Sequence, residues 1–389
     1  MKAFQKFNLT QKYGIAKGCN VGLDEKFVFE KKNEFILLRL IFPFLTLHKY
    51  IFSSSNFIVK VCLFFIAVSL IMSNPLSAQD MHFTQFYSSP VYLNPAMTGL
   101  NVCSRVTLTY RNQWPGVTRA FNSYMLSSDH FIQDAKLGVG MLMAHDEAGS
   151  GNLMTTIISP SLAYELRVSQ EFGIRFGLQP GLAQKRINYN KLVFGDQIAR
   201  GGDVATVENS KPSNTYFDAG SGILFYTKQY WGGFAINHIN QPNESLTGTK
   251  SKLPVKYSLH GGYSHLLNVD ERDELKRKSV TSVFHYRHQK KFDQFDFGLY
   301  YNENVFTLGL WYRGLNLVKK YKKGYQNNDA LCVIIGLQNK RTNFGYSYDL
   351  TISKLASISQ GAHEITVSYQ LCNPKKKKKV RLTVDCPKF

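Results

Sequence analysis

Three groups of acidic and histidine side chains could in principle hold a metal ion or move a proton. His145–Glu147 reads His-Asp-Glu, Asp129 directly precedes His130, and His285 lies close in sequence to His288. The first group precedes Ala-Gly-Ser-Gly, a composition typical of a solvent-exposed loop. In a strand, Asp129 and His130 would point to opposite faces. The two later histidines lack the further ligands that a zinc site needs.

Motifs that would indicate an enzyme are not found elsewhere in the sequence. The chain has no Gly-x-Ser-x-Gly elbow, no phosphate-binding loop and no dinucleotide-binding fingerprint. We therefore predict a protein that is not an enzyme, with no catalytic residue, no metal and no cofactor.

Two of the six cysteines flank a lysine run near the C-terminus. Cys372 and Cys386 flank the run Lys375, Lys376, Lys377, Lys378 and Lys379. A disulfide between these two cysteines would close a small loop, stabilised by about 3 kcal/mol in the chain-entropy model. The lysine run is either a solvated tail or an electrostatic handle for an acidic partner or phospholipid. Cys103 and Cys332 lie far apart, and the sequence leaves their pairing open.

A secretory signal precedes most of the chain. Val61–Met72 is an apolar run of about 12 residues after Lys60, and Leu76-Ser77-Ala78 is a small-residue cleavage site. We predict a signal peptide over residues 57–78. Residues 1–56 are either a lysine-rich extension or the product of a misassigned start codon, and we favour the second.

Basic residues outnumber acidic ones, with a formal net charge of +20. Residues 1–78 carry 10 Lys or Arg and 4 Asp or Glu, so the remainder has a charge of +14. These charges are spread over loops and are not interleaved with aromatic residues in one patch, which argues against a nucleic-acid partner. Anionic lipid or an acidic protein fits better.

The segments that contain these residues show a strict alternation of apolar and polar side chains, with a period of two residues. In His363–Leu371 and in Glu171–Gln179, apolar or ring side chains occupy every second position. Successive side chains of a strand point to opposite faces, so each segment predicts a strand with one apolar face. We predict about fourteen strands, near 104–112, 121–131, 136–145, 153–167, 171–186, 216–227, 230–239, 255–267, 279–287, 292–301, 305–313, 329–338, 342–350 and 363–371.

The second face of these strands favours a membrane barrel over a secreted soluble sandwich. It is rich in Gly, Ser, Asn and isolated charges, which suits the polar interior of a barrel. Aromatic pairs near strand ends, such as Trp311-Tyr312 and Tyr346 with Tyr348, would mark the membrane–water boundary. No segment has the roughly 20 apolar residues of a spanning helix. We predict an antiparallel transmembrane outer-membrane β-barrel.

Connection lengths predict its orientation. If the first strand runs outward, the long connections 187–215, 240–254, 314–328 and 351–362 are all external. Connection 268–278 is an exception, being long on the other side, and the turn near Gln289–Lys291 is short on the external side. An even strand count places the C-terminus in the periplasm. The stretch 79–103 lacks alternation, so we expect an irregular segment in the lumen or under the barrel, followed by a barrel over 104–371 and a tail over 372–389.

An ordered set of short motifs resembles one family. Those motifs are Gln79–Tyr87, Pro90–Ala96 with Gly99, Tyr110–Pro115, Asp146 with Gly149 and Gly151, Leu192–Ile198, Tyr346–Leu350, His363–Ile365 and Cys386–Phe389. Together they resemble the PorP/SprF family of type IX secretion system outer-membrane proteins. The positions that carry the resemblance, with no role assigned to any of them, are Leu93, Asn94, Pro95, Ala96, Tyr110, Arg111, Gln113, Trp114, Asp196 and Gln197.

The resemblance implies an integral outer-membrane barrel of Bacteroidota-type bacteria. It also implies a role in the secretion or surface attachment of a specific cargo protein, such as a gliding adhesin, together with periplasmic components of the system. We expect the external loops to bind the exported cargo or its C-terminal signal, with 187–215 and 240–254 the leading candidates. The periplasmic tail would engage the machinery. The alternative is a diffusion porin or uptake channel with a polar lumen.

Overall fold

Fourteen antiparallel strands form a closed barrel in the computed structural model. It describes residues 80–371 apart from 102, 118–120, 150, 190–191, 203–205, 207–210, 269–277, 315–327, 340 and 354–355. Each strand pairs with its neighbours in the chain, and β14 pairs with β1 to close the wall. The predicted fold class is confirmed.

The strands are β1 (Ser104–Gln113), β2 (Phe121–Ile132), β3 (Leu137–Ala148), β4 (Leu153–Arg167), β5 (Gly173–Arg186), β6 (Ser213–Tyr226), β7 (Tyr230–Asn237), β8 (Lys256–Asn268), β9 (Lys278–Gln289), β10 (Phe292–Glu303), β11 (Phe306–Gly314), β12 (Asn328–Gln338), β13 (Thr342–Thr351) and β14 (Ala362–Leu371). Short helices are α1 (Pro90–Leu93), α2 (Gly195–Ala199) and α3 (Ala356–Ser359), and Pro95–Met97 forms a 3₁₀ turn. None of the helices in the described part of the chain has the length and hydrophobicity needed to cross a membrane.

Polar side chains face inward and apolar side chains face outward. On β14, Glu364 and Thr366 are fully buried, whereas Ile365 and Val367 are 40% and 39% exposed. On β5, Leu178 is 61% exposed. A soluble sandwich would bury its apolar face, so this inverted pattern requires an apolar solvent around the wall. Lipid is that solvent for a transmembrane barrel.

The two ends of the barrel differ in the length of their connections. Odd-numbered strands finish at one end, which we call the long-loop end, where 187–212, 238–255, 315–327 and 352–361 connect the strands. Odd-numbered strands begin at the other, short-turn end, where 227–229, 304–305 and 339–341 are tight turns. The predicted asymmetry is therefore present, as are its two exceptions, 269–277 and the turn 290–291.

Two local predictions were wrong. His145–Glu147 is not in a loop, because these residues continue β3 and pair with Met154, Thr155 and Thr156 on β4. Trp311 is not at the membrane boundary: it is 3% exposed and lies inside the barrel. Residues 1–79 and the tail 372–389, with the predicted extension, signal peptide and lysine run, lie outside the described residues.

Candidate functional site

The N-terminal segment Asp80–Leu100, called here the lumen segment, runs through the inside of the barrel. From Phe83 to Leu100 every residue except Tyr92 is buried. Asp80 contacts His238 and Lys256 at the long-loop end, and Gly99 donates its backbone N–H to Asp129 near the short-turn end. The segment thus spans the lumen lengthwise, and of the two expected positions it takes the one in the lumen.

The part of the segment nearest the short-turn end lies against glycines of the wall. A Cβ atom on Gly177 would lie 2.1 Å from the Ala96 nitrogen, and one on Gly222 would lie 2.0 Å from Asn94 Oδ1. Gly138 is equally close to the Thr98 carbonyl oxygen, at 2.0 Å. Only glycine permits such close backbone approach. These inward glycines make space for the lumen segment, for its main chain at Gly138 and Gly177 and for the Asn94 side chain at Gly222.

Asn94 holds the turn between α1 and the 3₁₀ turn and fastens it to the wall. Its Oδ1 accepts a hydrogen bond from the Ala96 N–H at 2.9 Å. Its Nδ2 donates to the Ile223 carbonyl at 3.1 Å and lies 3.0 Å from His260 Nε2. Because Pro95 follows, Asn94 takes the extended backbone conformation that such a cap requires. These contacts give Asn94 and Pro95 a structural role.

Arg175 binds backbone carbonyl oxygens of the same part of the lumen segment. Its Nε donates to the Ala96 oxygen at 2.9 Å, and its Nη2 donates to the Thr98 oxygen. Its Nη1 forms an ion pair with Glu165 at 2.8 Å, and the Arg175 side chain is fully buried. A buried, fully bonded guanidinium of this kind fixes the position of the main chain it contacts.

The part of the segment nearer the long-loop end contacts a cluster of charges on the wall. The charge cluster consists of Arg111, Arg313, Asp296, Asp349 and Glu364, all of them buried. Arg111 pairs with Asp349 at 2.8 Å and with Glu364 at 3.1 Å, and Arg313 pairs with Asp349 at 2.9 Å and with Asp296 at 3.0 Å. Arg287 also pairs with Asp296, at 3.1 Å, so three guanidinium groups face the three carboxylates of the cluster.

Thr84 and Gln85 of the lumen segment complete this cluster. Their backbone N–H groups donate to the two carboxylate oxygens of Glu364 at 2.7 and 2.8 Å. The Thr84 hydroxyl donates to Asp349 at 2.7 Å and accepts hydrogen bonds from Arg111 and Arg313. Removing the segment would leave buried charges without these partners, which is costly.

Asp80, the first residue that the structure describes, is held by ion pairs at the long-loop end. Asp80 Oδ2 lies 2.8 Å from His238 Nε2 and 2.5 Å from Lys256 Nζ, and His238 Nδ1 lies 2.8 Å from Asp218 Oδ2. His238 follows the end of β7. Burial alone would lower the pKa of His238, but Asp80 and Asp218 raise it to about 9. Burial would likewise raise the pKa of Asp80, yet Lys256 and His238 hold it well below its usual value.

Apolar side chains fill the space on both sides of the segment. Phe86 and Tyr87 pack with Trp231, Tyr300 and Trp311 of the wall. On the opposite side, Phe83 and Val91 pack with Met125, Leu142 and Ala144. The inward face of the wall is polar, as expected, but the part of the lumen that the structure describes is not an open space, because these apolar side chains and the lumen segment pack together there.

The family-motif positions do not converge on one site. Leu93, Asn94, Pro95 and Ala96 are in the lumen segment, and Arg111 is in the charge cluster. The Tyr110 ring contacts the Tyr124 ring, with 5.0 Å between the ring centroids and a tilt of 35°. Gln113 ends β1, and the Trp114 N–H donates to the Gly361 carbonyl. Asp196 and Gln197 are in α2, where the Gln197 side chain caps the Phe194 N–H at 2.9 Å.

Sequence reasoning assigned no role to several residues of the lumen site, although three of them lie in motifs that carry the family resemblance. They are Thr84, Arg175, His238, Arg313, Asp349 and Glu364. The available signal was the charge at alternate, non-lipid positions of the strands, since a buried charge needs a partner. Among the described residues, no group of three His, Cys, Asp or Glu side chains is placed to hold a metal ion.

Comparison with known proteins identifies the family. Residues 76–369 match the family described as "Type IX secretion system membrane protein PorP/SprF". The chain belongs to the PorP/SprF family. A secretion-system membrane barrel is thus its established class, and the predicted resemblance is confirmed. No curated protein matches the chain.

Solved structures with a similar fold include outer-membrane barrels. The Pseudomonas putida toluene transporter TodX is 11% identical, with a TM-score of 0.41, covering 76% of this chain and 95% of TodX. The KdgM porin is 10% identical, with a TM-score of 0.31, covering 69% of this chain and 99% of the porin. CdiB from Acinetobacter baumannii is 6% identical, with a TM-score of 0.38, covering 70% of this chain and 60% of CdiB.

Proposed function

We propose that this PorP/SprF protein is a non-enzymatic outer-membrane barrel that docks one exported cargo protein, or its C-terminal signal, at the cell surface. It thereby supports secretion or surface attachment of that cargo, of which a gliding adhesin is an example, in a Bacteroidota-type bacterium. The observation that carries this proposal is the filled lumen of a type IX secretion barrel. A barrel whose interior is packed cannot pass a protein through itself, so it must act through its rim.

The long-loop end is the better surface for cargo. The connections 187–212 and 238–255 are the longest loops there, and the Lys211 N–H of the first donates to the Leu246 carbonyl oxygen of the second at 2.8 Å. On the first loop, Val193 and Ile198 are both 68% exposed. Exposed apolar side chains beyond the membrane suit a protein partner. In this proposal the tail 373–389 is periplasmic, and its lysines engage acidic components of the secretion machinery.

Deleting the gene and then comparing surface proteins is the direct experiment. We expect loss of one surface protein while other type IX cargo is unaffected. Unchanged surface composition, with the barrel's absence verified, would contradict the proposal. Complementation with a chain that ends at Leu371 separates the role of the tail: retained co-purification of periplasmic partners would remove that role.

The loop assignment is tested with a pair of matched variants. Val193→Asp together with Ile198→Asp should reduce the amount of cargo at the surface at least tenfold without reducing assembled barrel. The control is Ile358→Asp, which replaces a residue 60% exposed on a different loop of the same end. Equal effects from both variants would show that loop 187–212 has no special part in docking.

The porin alternative makes a different prediction in planar bilayers. A diffusion porin needs a continuous aqueous path, whereas the described lumen is occupied by the buried residues Phe83–Leu100. We expect the purified protein to show no stable conductance steps. A large, steady conductance together with an unchanged surface proteome would favour the porin.

A further inference from the structure

Cys103, at the short-turn end, forms a disulfide whose partner could not be assigned from the sequence. Cys103 is disulfide-bonded, whereas Cys332 is free and buried in the wall. The partner of Cys103 is therefore one of the cysteines outside the described residues, which are Cys19, Cys62, Cys372 and Cys386. Cys19 and Cys62 precede the predicted cleavage site.

The register between the first and last strands selects one of them. Every residue from Ser104 to Gln113 on β1 faces a residue of β14 without interruption, and the first pair is Ser104 with Leu371. Cys103 precedes Ser104, and Cys372 follows Leu371. In an antiparallel pair, the next step of the same register would therefore set Cys103 against Cys372.

The distance between directly opposed residues suits a disulfide. Opposed Cα atoms in an antiparallel pair are roughly 4.5–5.5 Å apart, and disulfides join Cα atoms that are roughly 4.4–6.8 Å apart. Cys386 lies 14 residues beyond Cys372 in the sequence, so the register that pairs Ser104 with Leu371 leads to Cys372 first. We propose that Cys103 and Cys372 form a disulfide that closes the β1–β14 seam covalently at the short-turn end.

The chemistry requires an oxidant of the exported compartment. A thiol–disulfide oxidoreductase in its disulfide form would accept the two electrons. One cysteine thiolate attacks the donor disulfide, and the second then attacks the mixed disulfide. One sulfur–sulfur bond forms in the barrel, one breaks in the donor, and the donor leaves with two thiols.

The proposed bond ties together four parts of the chain. Cys103 connects the lumen segment to β1, and Cys372 connects β14 to the tail. The seam between these strands is otherwise held by backbone pairing and by side-chain contacts such as Thr107 with Ser368 at 3.0 Å and Thr109 with Thr366 at 3.2 Å. A covalent closure would turn the wall into a ring, so that tension on the tail cannot separate β14 from β1. This inference is independent of the proposed function.

Peptide mapping of the purified, full-length mature barrel is the decisive test. Free thiols are alkylated before unfolding, and the unreduced protein is digested with trypsin. Cuts after Arg105, Lys375 and Arg381 place Cys103, Cys372 and Cys386 in three separate peptides. We expect a linked pair that contains Cys103 and Cys372, with Cys386 alkylated. A link between Cys372 and Cys386, as the sequence alone suggested, or between Cys103 and Cys386, would overturn the proposal.

A second measurement does not depend on mutating the barrel's cysteines. A specific protease site is inserted in loop 238–255, and the cut protein is denatured without reductant. A Cys103–Cys372 bond keeps the two fragments together on a gel until reductant is added. Fragments that separate without reductant would contradict it, because a Cys372–Cys386 bond lies within one fragment.

Cysteine variants measure the effect on stability. Cys103→Ser and Cys372→Ser should each lower the midpoint of thermal unfolding by about 10 °C, and the double variant should lower it no further. Cys386→Ser is the matched control and should leave both the midpoint and the linked peptide unchanged. A shift with Cys386→Ser equal to that of Cys103→Ser would exclude the proposed pair.

Discussion

At single residues of the wall, the absence of a side chain makes room for the lumen segment. Gly177 and Gly222 are inward-facing strand positions where any side chain would meet Ala96 or Asn94. The same segment carries Asn94 and Pro95, which resemble family positions. The motif in the lumen segment and the glycines in the strands therefore form the two sides of the same contact.

Gly177→Ala tests that contact. The added Cβ would lie 2.1 Å from a backbone nitrogen, which cannot move as a flexible side chain can, so we expect a loss of at least about 2 kcal/mol in the free energy of unfolding. Gly232→Ala is the control, because nothing lies within 4 Å of its added Cβ. Both are measured by urea unfolding of the protein in lipid vesicles. Equal stability of the two variants would contradict the tight packing.

Glu364→Gln tests the charge cluster. The substitution keeps the shape of the side chain but removes the charge that faces Arg111 and the lumen segment, so we expect a loss of about 3 kcal/mol. Glu303→Gln makes the same change in an exposed pair with Lys278, and its unfolding midpoint should not move. If Glu364→Gln also left the unfolding midpoint unchanged, the charge cluster would not stabilise the fold.

The ion pairs of His238 predict that the free energy of unfolding depends on pH. Its pKa is raised to about 9 in the folded protein, against about 6.5 when unfolded. Its contribution of about 3 kcal/mol is therefore fully present below pH 6.5 and is lost as the pH rises through 9. His238→Gln should flatten this part of the stability profile, whereas His265→Gln, on the exposed surface, should not. A wild-type profile that is flat from pH 6 to pH 10 would refute the ion pairs at Asp80.

At the scale of elements, the strands could be predicted and the lumen segment could not. Each strand follows a period of two, because lipid on one side and an enclosed space on the other give the two faces opposite preferences. β4 was predicted at its observed bounds, 153–167, and β7 was predicted to extend to residue 239, beyond its end at Asn237. The two-residue period and the turn residues are local signals, so they can be recognised in the sequence without knowledge of the fold.

The lumen segment has no such local signal. Its residues Phe83–Leu100 contact strands from β1 to β14, so their positions depend on a closed wall that only the whole chain provides. Glu364 illustrates this point: its position on β14 indicates that it faces inward, but its partner Thr84 lies at the other end of the chain. His145–Glu147 illustrates the converse, because glycines after the group suggested a loop although the wall continues there.

Deleting residues Asp80–Leu100 tests whether the segment closes the barrel. We expect the truncated protein either to fail to assemble, because the charge cluster and glycine wall lose their partners, or to conduct ions if it does assemble. Wild-type protein prepared in the same way is the control and should stay closed. An assembled, non-conducting deletion protein would show that other parts of the chain fill the lumen.

At the scale of the whole molecule, the barrel is a solid body in the membrane. Its outside is apolar, the part of its inside that the structure describes is packed, and its long connections lie at one end except for 269–277. In the proposed function such a body acts by binding and not by passage, and its two rims are the binding surfaces.

The lengthwise course of the lumen segment has a practical consequence for locating the protein. Asp80 is at the mouth where the odd-numbered strands finish, whereas Leu371 is at the opposite mouth. An epitope placed just ahead of Asp80 and another placed just after Leu371 would therefore be accessible from opposite faces of the membrane. Antibody staining of intact and permeabilised cells with these two labels would read out which way the barrel is inserted.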